Sequence, residues 1–101
     1  MLKNILLGVT GSIAASKTEI LYKKLIDKHN VKIFSTSEGL KYLSKEFINE
    51  VEVFSSWEQL EGSPHIDYAR WADLIVIYPA TANFLAKLNY GIADDLLLST
   101  V

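Results

Sequence analysis

Cysteine is absent from this 101-residue chain, and histidine occurs only at His29 and His65. The missing thiols exclude a disulfide framework, and two distant imidazoles exclude an ordinary zinc site, leaving carboxylates as ligands for a weaker one at most. A resident metal is not expected. Charge of one sign is lacking too: ten Lys and Arg stand against twelve Asp and Glu, a formal net charge of −2, and the basic residues are scattered. That is no electrostatic footprint for a phosphate backbone, so neither DNA nor RNA is an expected partner. Long apolar runs are missing as well. Ile5-Leu6-Leu7-Gly8-Val9 is too short for a signal peptide and has no small-residue cleavage site after it, and no later stretch is long enough to span a bilayer. The expected location is the cytoplasm, with no membrane partner.

What is present is globular: 50% hydrophobic and 22% charged residues, without repeats or low-complexity tracts. A chain of this length suffices for one small α/β domain, expected over residues 1–101. Residues 3–9 form a short apolar run that reads as a parallel strand buried on both faces. From Ser12 to about Lys28, Ile13, Ile20, Leu21 and Leu25 recur at helical spacing beside a stripe of Lys17, Lys24 and Lys28, and Glu19 with Lys23 makes an i, i+4 pair. Val31 to Phe34 reads as the next strand. Ser35 or Ser37 then caps a short helix ending near Tyr42 or Leu43, and Val51 to Phe54 alternates like an edge strand. Ser55 to Pro64 reads as a surface loop. His65 to Ala72 looks helical, Leu74 to Tyr78 is a further buried-strand run, and Thr81 caps a helix to Tyr90 with Gly91 as its stop. Asp94-Asp95 opens a last helical segment, whose Leu96-Leu97-Leu98 ends the chain on apolar residues with nothing after them to cover the surface. Alternating strands and helices imply a three-layer, doubly wound parallel sheet of Rossmann or flavodoxin-like type, incomplete at its C-terminus.

In such a sheet ligands collect beyond the carboxyl ends of the strands. Three of those ends are small and polar. After the first strand, Gly8-Val9-Thr10-Gly11-Ser12-Ile13 offers close backbone approach and a helix N-terminus for an anion, although it is neither a dinucleotide fingerprint nor a Walker loop. Taken alone, it is equally a tight turn with Ser12 as a cap. After the second strand, Ser35-Thr36-Ser37 stands where a dinucleotide site places an acid for the ribose, which argues against NAD. After the later strand, Pro79-Ala80-Thr81-Ala82-Asn83 adds a hydroxyl and an amide to the same rim, the amide suited to reading the edge of a planar ring. Asp94 and Asp95 are read as acids complementing a helix dipole.

The segment from His65 through Pro79-Ala80-Thr81-Ala82-Asn83 to Thr100, together with the loop of residues 8–17, resembles the flavoprotein cysteine decarboxylases, the family of phosphopantothenoylcysteine decarboxylase and the lantibiotic-peptide decarboxylases. Nearly the whole chain is covered. Thr81 replaces a more usual Ser of the Pro-Ala-Ser-Ala-Asn motif, and Phe84 stands where a small polar residue is common. The resemblance implies FMN as cofactor, with Gly11, Ser12 and Ile13 at the phosphate end, Ser35 and Ser37 beside the ribityl chain, and Thr81, Ala82, Asn83 and Phe84 at the flavin. It makes His65 the catalytic histidine, a group able to take a proton from substrate or orient its carboxylate near neutral pH.

The implied activity is decarboxylation of a cysteine-terminated thiol-carboxylate substrate, foremost 4′-phospho-N-pantothenoylcysteine to 4′-phosphopantetheine in coenzyme A biosynthesis. In the family, flavin oxidises the cysteine thiol to a thioaldehyde, which accepts the electrons of the departing carboxylate. Assembly as trimers or multiples of trimers is implied, around Trp71 and the region from Asn83 to Leu98. A Pro-x-Met-Asn-x-x-Met-Trp motif and a catalytic Cys belong to the family downstream of the matched segment; here Met1 is the one Met and Cys is lacking. The alternative is a non-catalytic flavin-binding or regulatory subunit, or an inactive fragment, that assembles with a complete homologue. A flavin prenyltransferase and an NAD-dependent reductase fit the motifs less well.

Overall fold

A computed structural model describes residues 2–11, 17–55, 64–78, 80–93 and 96–100. Strand β1 (Asn4–Val9) is followed by α1 (Thr18–Ile26), β2 (Asn30–Ser35), α2 (Ser37–Leu40), α3 (Lys45–Glu50) and β3 (Val53–Phe54). Helix α4 (Pro64–Trp71), β4 (Leu74–Ile77), α5 (Ala82–Asn89) and α6 (Leu96–Thr100) complete the described elements. The strands form a four-stranded sheet in the order β3-β2-β1-β4, with every pairing parallel. Chain order runs outward from β1 to β2 and β3, then returns to the other side of β1 for β4. The gap between the carboxyl ends of β1 and β4 is therefore a topological switch point.

The period of two in the strands sorts their side chains onto two cores. On one face Leu7, Val9, Ile33 and Val53 pack with Phe47 of α3, joined by Leu21 and Tyr22 of α1. On the other, Leu6, Phe34 and Phe54 meet Phe84 of α5, Leu96, Leu97 and Leu98 of α6, and Tyr68 and Trp71 of α4. Aromatic edges fix the second core, with Phe34 and Tyr68 ring centres 5.1 Å apart and Phe34 and Phe54 5.8 Å apart. Helices thus cover both faces, the three-layer α/β arrangement expected from the sequence. Gly8 belongs to the second face, where a Cβ would lie 2.6 Å from Ile77 Cδ1 and 2.8 Å from Leu97 Cδ1. Lack of a side chain there lets α6 press directly onto β1.

Several local expectations change. Leu96, Leu97 and Leu98 are buried rather than left uncovered, because Gly8 and the aromatic core receive them. Ile20, assigned to the core stripe of α1, is 59% exposed. Glu19 does not pair with Lys23: its carboxylate accepts from Ser44 N at 3.2 Å and Ser44 Oγ at 3.1 Å, tying α1 to the start of α3. The cap of α2 is Thr36, neither Ser35 nor Ser37, and a separate helix α3, capped by Ser44, occupies a stretch to which the sequence reading assigned no element. Strand β4 is an edge of the described sheet, with Leu74 exposed. The Ser55-to-Pro64 loop falls almost entirely outside the described residues, as do Asp94 and Asp95.

Candidate functional site

Three loops converge at the carboxyl rim, each positioned by the strand before it. Thr10 and Gly11 leave β1, Thr36 and Ser37 leave β2, and Thr81 lies beyond β4 at the start of α5. The backbone N–H of Thr36 donates to Val9 O at 2.9 Å and that of Tyr78 to Gly8 O at 2.8 Å, so the sheet pairing extends one residue past each strand. Across the switch point, Thr81 N donates to the buried hydroxyl of Thr10 at 2.9 Å. That bond joins the first and last loops directly. Thr81 in turn accepts from Phe84 N at 3.1 Å and caps α5, while Gly91 adopts a φ of 72° just beyond the helix, the stop expected there.

Close packing holds the β1 and β2 loops together. A Cβ on Gly11 would lie 2.4 Å from Glu38 Cβ, and one on Gly39 would lie 2.8 Å from Val9 O. Both positions therefore accept only glycine without displacement of the neighbouring segment. Thr36 Oγ1 accepts from Gly39 N at 3.0 Å and so caps α2 where it starts.

Between these loops lies a cavity of 260 Å³ lined by Thr10, Gly11, Thr36, Ser37, Glu38 and Thr81, with Asn83, Phe84 and Lys87 of α5 and Leu98 of α6 closing it. Gly11, Ser37, Thr81, Asn83 and Phe84 were singled out in the sequence and are brought together here. Ser35 is not among the lining residues: it is buried and its hydroxyl donates to Thr36 O at 2.8 Å. Ala82 is exposed on α5 outside the lining, and Ser12 and Ile13 lie outside the described residues. Sequence reading named the loops that hold Thr10 and Thr36 without giving these two a role, and it passed over Glu38, Lys87 and Leu98 as lining residues. The signal for Lys87 was present, since it stands four residues after Asn83 in a helix whose cap was recognised and therefore shares its face.

His65 lies in the first turn of α4, half-buried, with its Nδ1 shielded from solvent. It is not among the residues lining the cavity. The other end of α4 meets the amino rim, where Asn4 Nδ2 donates to Trp71 O at 3.1 Å. His65 stands six residues before Trp71, roughly 9 Å along the helix from that contact at about 1.5 Å per residue. His29 is at the opposite rim, its Nδ1 accepting from Lys3 N at 3.1 Å. Among the described residues no cluster of His, Asp and Glu could hold a metal ion, and no helix is long and apolar enough to cross a membrane.

The donor set suits a ligand that is polar along its length and planar at one end: hydroxyls of Ser37 and Thr81, the Asn83 amide, and the Lys87 ammonium. FMN has those features, and the residues present fit it. A volume of 260 Å³ is below the roughly 300–1,000 Å³ that enclose a drug-sized molecule, so the cavity takes one part of such a ligand and the rest lies across the rim.

Comparison with known proteins gives the chain's relatives. The chain is 36% identical, over 98% of its length, to a putative phosphopantothenoylcysteine decarboxylase of Dictyostelium discoideum, of which it covers 56%. It is 40% identical to the coenzyme A biosynthesis bifunctional protein CoaBC of Bacillus subtilis across 98% of the chain and 26% of that protein. Among solved structures, the FMN-binding protein AtHal3 superposes with a TM-score of 0.87 at 31% identity, over 97% of this chain and 57% of that one. A phosphopantothenoylcysteine decarboxylase mutant complexed with pantothenoylaminoethenethiol gives 0.87 at 30% identity, over 99% and 59%. The chain spans a little over half the length of these structures and of the Dictyostelium relative. The Flavoprotein family model matches residues 2–101, and the chain belongs to that family.

Proposed function

We propose that the chain binds FMN at the switch-point cavity and forms the flavin-binding part of an enzyme that decarboxylates 4′-phospho-N-pantothenoylcysteine to 4′-phosphopantetheine. The observation that carries this reading is the convergence of Gly11, Ser37, Thr81 and Asn83, each at a strand end singled out in the sequence, on one cavity beyond β1, β2 and β4. Relatives of both names, decarboxylase and FMN-binding protein, support it at 30% identity or more.

In this reading the chain's groups bind and orient. Gly11, with Ser12 and Ile13, admits the phosphate end, Ser37 reaches the ribityl hydroxyls, and Thr81, Ala82, Asn83 and Phe84 set the flavin against α5. Bound FMN supplies the two-electron oxidation of the substrate thiol that makes loss of the carboxylate possible. Ser35 acts from beneath, shaping the turn into Thr36. His65 handles the substrate proton or orients its carboxylate from the first turn of α4, whose Nδ1 is already dehydrated. The cytoplasm is the matching compartment for such a metabolic step.

Self-association belongs to the same proposal, as a trimer or a multiple of trimers. Leu85, Leu88, Tyr90 and Ile92 are exposed on and just after α5, an apolar row suited to a subunit contact. Trp71 packs against Tyr68 and the second core, a position that braces the region.

The first test is the visible absorption spectrum of the purified chain and the identity of any flavin released on denaturation. FMN at one per chain supports the reading, and a colourless protein that takes up no added FMN overturns it. Carbon dioxide release from 4′-phospho-N-pantothenoylcysteine then separates an enzyme from a flavin-binding subunit without catalysis, which would load FMN and release none.

A further inference from the structure

We propose that Thr10 is a positioning residue for the flavin: through its hydrogen bond to Thr81 it holds the phosphate end of the site in register with the ring end, and so sets how strongly FMN is preferred over riboflavin. This rests on the reading of the cavity as a flavin site.

In that reading one ligand is held by two separate segments. Its phosphate end lies on the loop that leaves β1, at Gly11, and its ring end on the residues from Thr81 to Phe84 that follow β4. The paired residues of β1 and β4 end with Gly8 and Ile77, and Tyr78 N donates to Gly8 O just beyond them. Past that point Thr10 bridges the gap, its Oγ1 accepting from Thr81 N at 2.9 Å. The threonine is 1% exposed, so water cannot replace its hydroxyl without displacing the chain. The same loop is tied again where it enters α1, where Thr18 Oγ1 donates to Tyr78 O at 3.4 Å, a longer and weaker contact. On the far side, Thr81 Oγ1 accepts from Phe84 N, and Phe84 is anchored in the second core. The N–H and the hydroxyl of Thr81 thus carry the position of the β1 loop into the first turn of α5, where Asn83 stands.

A ligand held at both ends gains from the second contact only while the two contacts keep the spacing that its own length demands. FMN and riboflavin share the ring and the ribityl chain and differ in the phosphate, so the ratio of their affinities measures that gain. Loss of the Thr10 hydroxyl leaves Thr81 N–H, a part-buried donor, without its acceptor, and the segment shifts to find water. The ring contacts move with the segment and survive, while their distance from the β1 loop changes. FMN should therefore lose more than riboflavin. A residue that only supported the fold would act otherwise: a smaller folded fraction weakens both flavins by the same factor and leaves the ratio alone.

The test is titration of the wild-type chain, T10V and T10S with FMN and with riboflavin, read by quenching of flavin fluorescence, with circular dichroism to follow folding. Valine keeps the shape of threonine without the hydroxyl, and serine keeps the hydroxyl. Expected in T10V is an FMN-to-riboflavin affinity ratio roughly tenfold below that of the wild type, the worth of one hydrogen bond, with the ratio restored in T10S. Should T10V fail to fold, T10A removes the hydroxyl without setting a methyl in its place and must show the same fall. An unchanged ratio in the variants that lack the hydroxyl overturns the inference, as does an equal fall in T10S or a wild type that binds the two flavins alike. Wild type that binds neither flavin removes the flavin reading of the cavity and this inference with it; wild type that prefers FMN while T10V keeps the same preference removes the inference alone.

Discussion

The two rims of the sheet are both polar, but their polar groups have different partners. At the amino rim the side chains satisfy one another and the backbone: Asn30 Nδ2 donates to Asn4 Oδ1 at 3.0 Å, Asn4 Nδ2 to Trp71 O, and Asn4 N to Asp73 Oδ2 at 2.8 Å. His29 and Lys3 close the same cluster. At the carboxyl rim Thr10, Thr36 and Thr81 tie the loops together, whereas Ser37 and Asn83 line a cavity. A polar side chain bonded within the fold adds stability, while one held open toward a cavity adds recognition. Substitutions at the two rims should therefore separate folding from flavin binding.

The largest effect is expected where the carboxyl rim is most tightly packed. In Gly39→Ala the new Cβ meets Val9 O, which β1 cannot move, and the Ser35 hydroxyl at 2.5 Å. Overpacking of this kind costs about 1–3 kcal/mol, more than the helix propensity that alanine returns to α2. Chemical denaturation should show the loss, with flavin affinity falling too because the β1 and β2 loops are pushed apart. At the amino rim, Asn4→Ala removes two side-chain hydrogen bonds that link β1 with β2 and α4. A loss of about 1–2 kcal/mol is expected. FMN affinity should remain that of the wild type, because the site lies at the other end of the strands; a parallel fall in affinity would mean that the rims are not independent.

Much of this division was legible in the sequence, and the part that was not has an identifiable cause. The strand ends at Thr10-Gly11, Ser35-Thr36-Ser37 and the segment from Thr81 to Asn83 were readable because strand-to-helix turns concentrate small polar residues wherever the sheet ends. Which serine of the second group faces the cavity was not, since the β2 pleat buries Ser35 and only the residues after it emerge. The three leucines of α6 looked uncovered because their partner is the missing side chain of Gly8, a contact that no pattern along α6 itself contains. Ile20 erred in the opposite direction. Its spacing fits a helical stripe, yet the row of α1 that meets the sheet runs through Leu21 and Tyr22. Glu38 and Lys87 escaped notice because charged residues on helices usually face solvent, and only the closure of α5 over the β2 loop places them on one cavity.

Thr81 joins both kinds of partnership and should show a mixed effect. Thr81→Ala leaves Phe84 N without its cap, a loss of about 1 kcal/mol. The backbone bond from residue 81 to Thr10 remains available to alanine, so the loops stay joined. Denaturation and flavin titration should both register the change. Thr81→Ser should restore the cap and most of the affinity.

Asn83→Ala should have the smallest effect on folding and so gives the sharpest contrast with Asn4→Ala. Asn83 is exposed in the first turn of α5, and no element packs against it in the core. Surface substitutions of that kind stay within about 0.5 kcal/mol, and alanine is the better helix former. The unfolding midpoint should therefore hold or rise slightly. Flavin affinity should fall by roughly tenfold, the worth of a hydrogen bond or two from an amide to a ring edge. FMN and riboflavin should lose equally, since the amide reads the ring and not the phosphate. Should Asn83→Ala instead lose stability and keep its affinity, the amide would be a fold-supporting group like Asn4, and the contrast between the rims would reduce to Ser37.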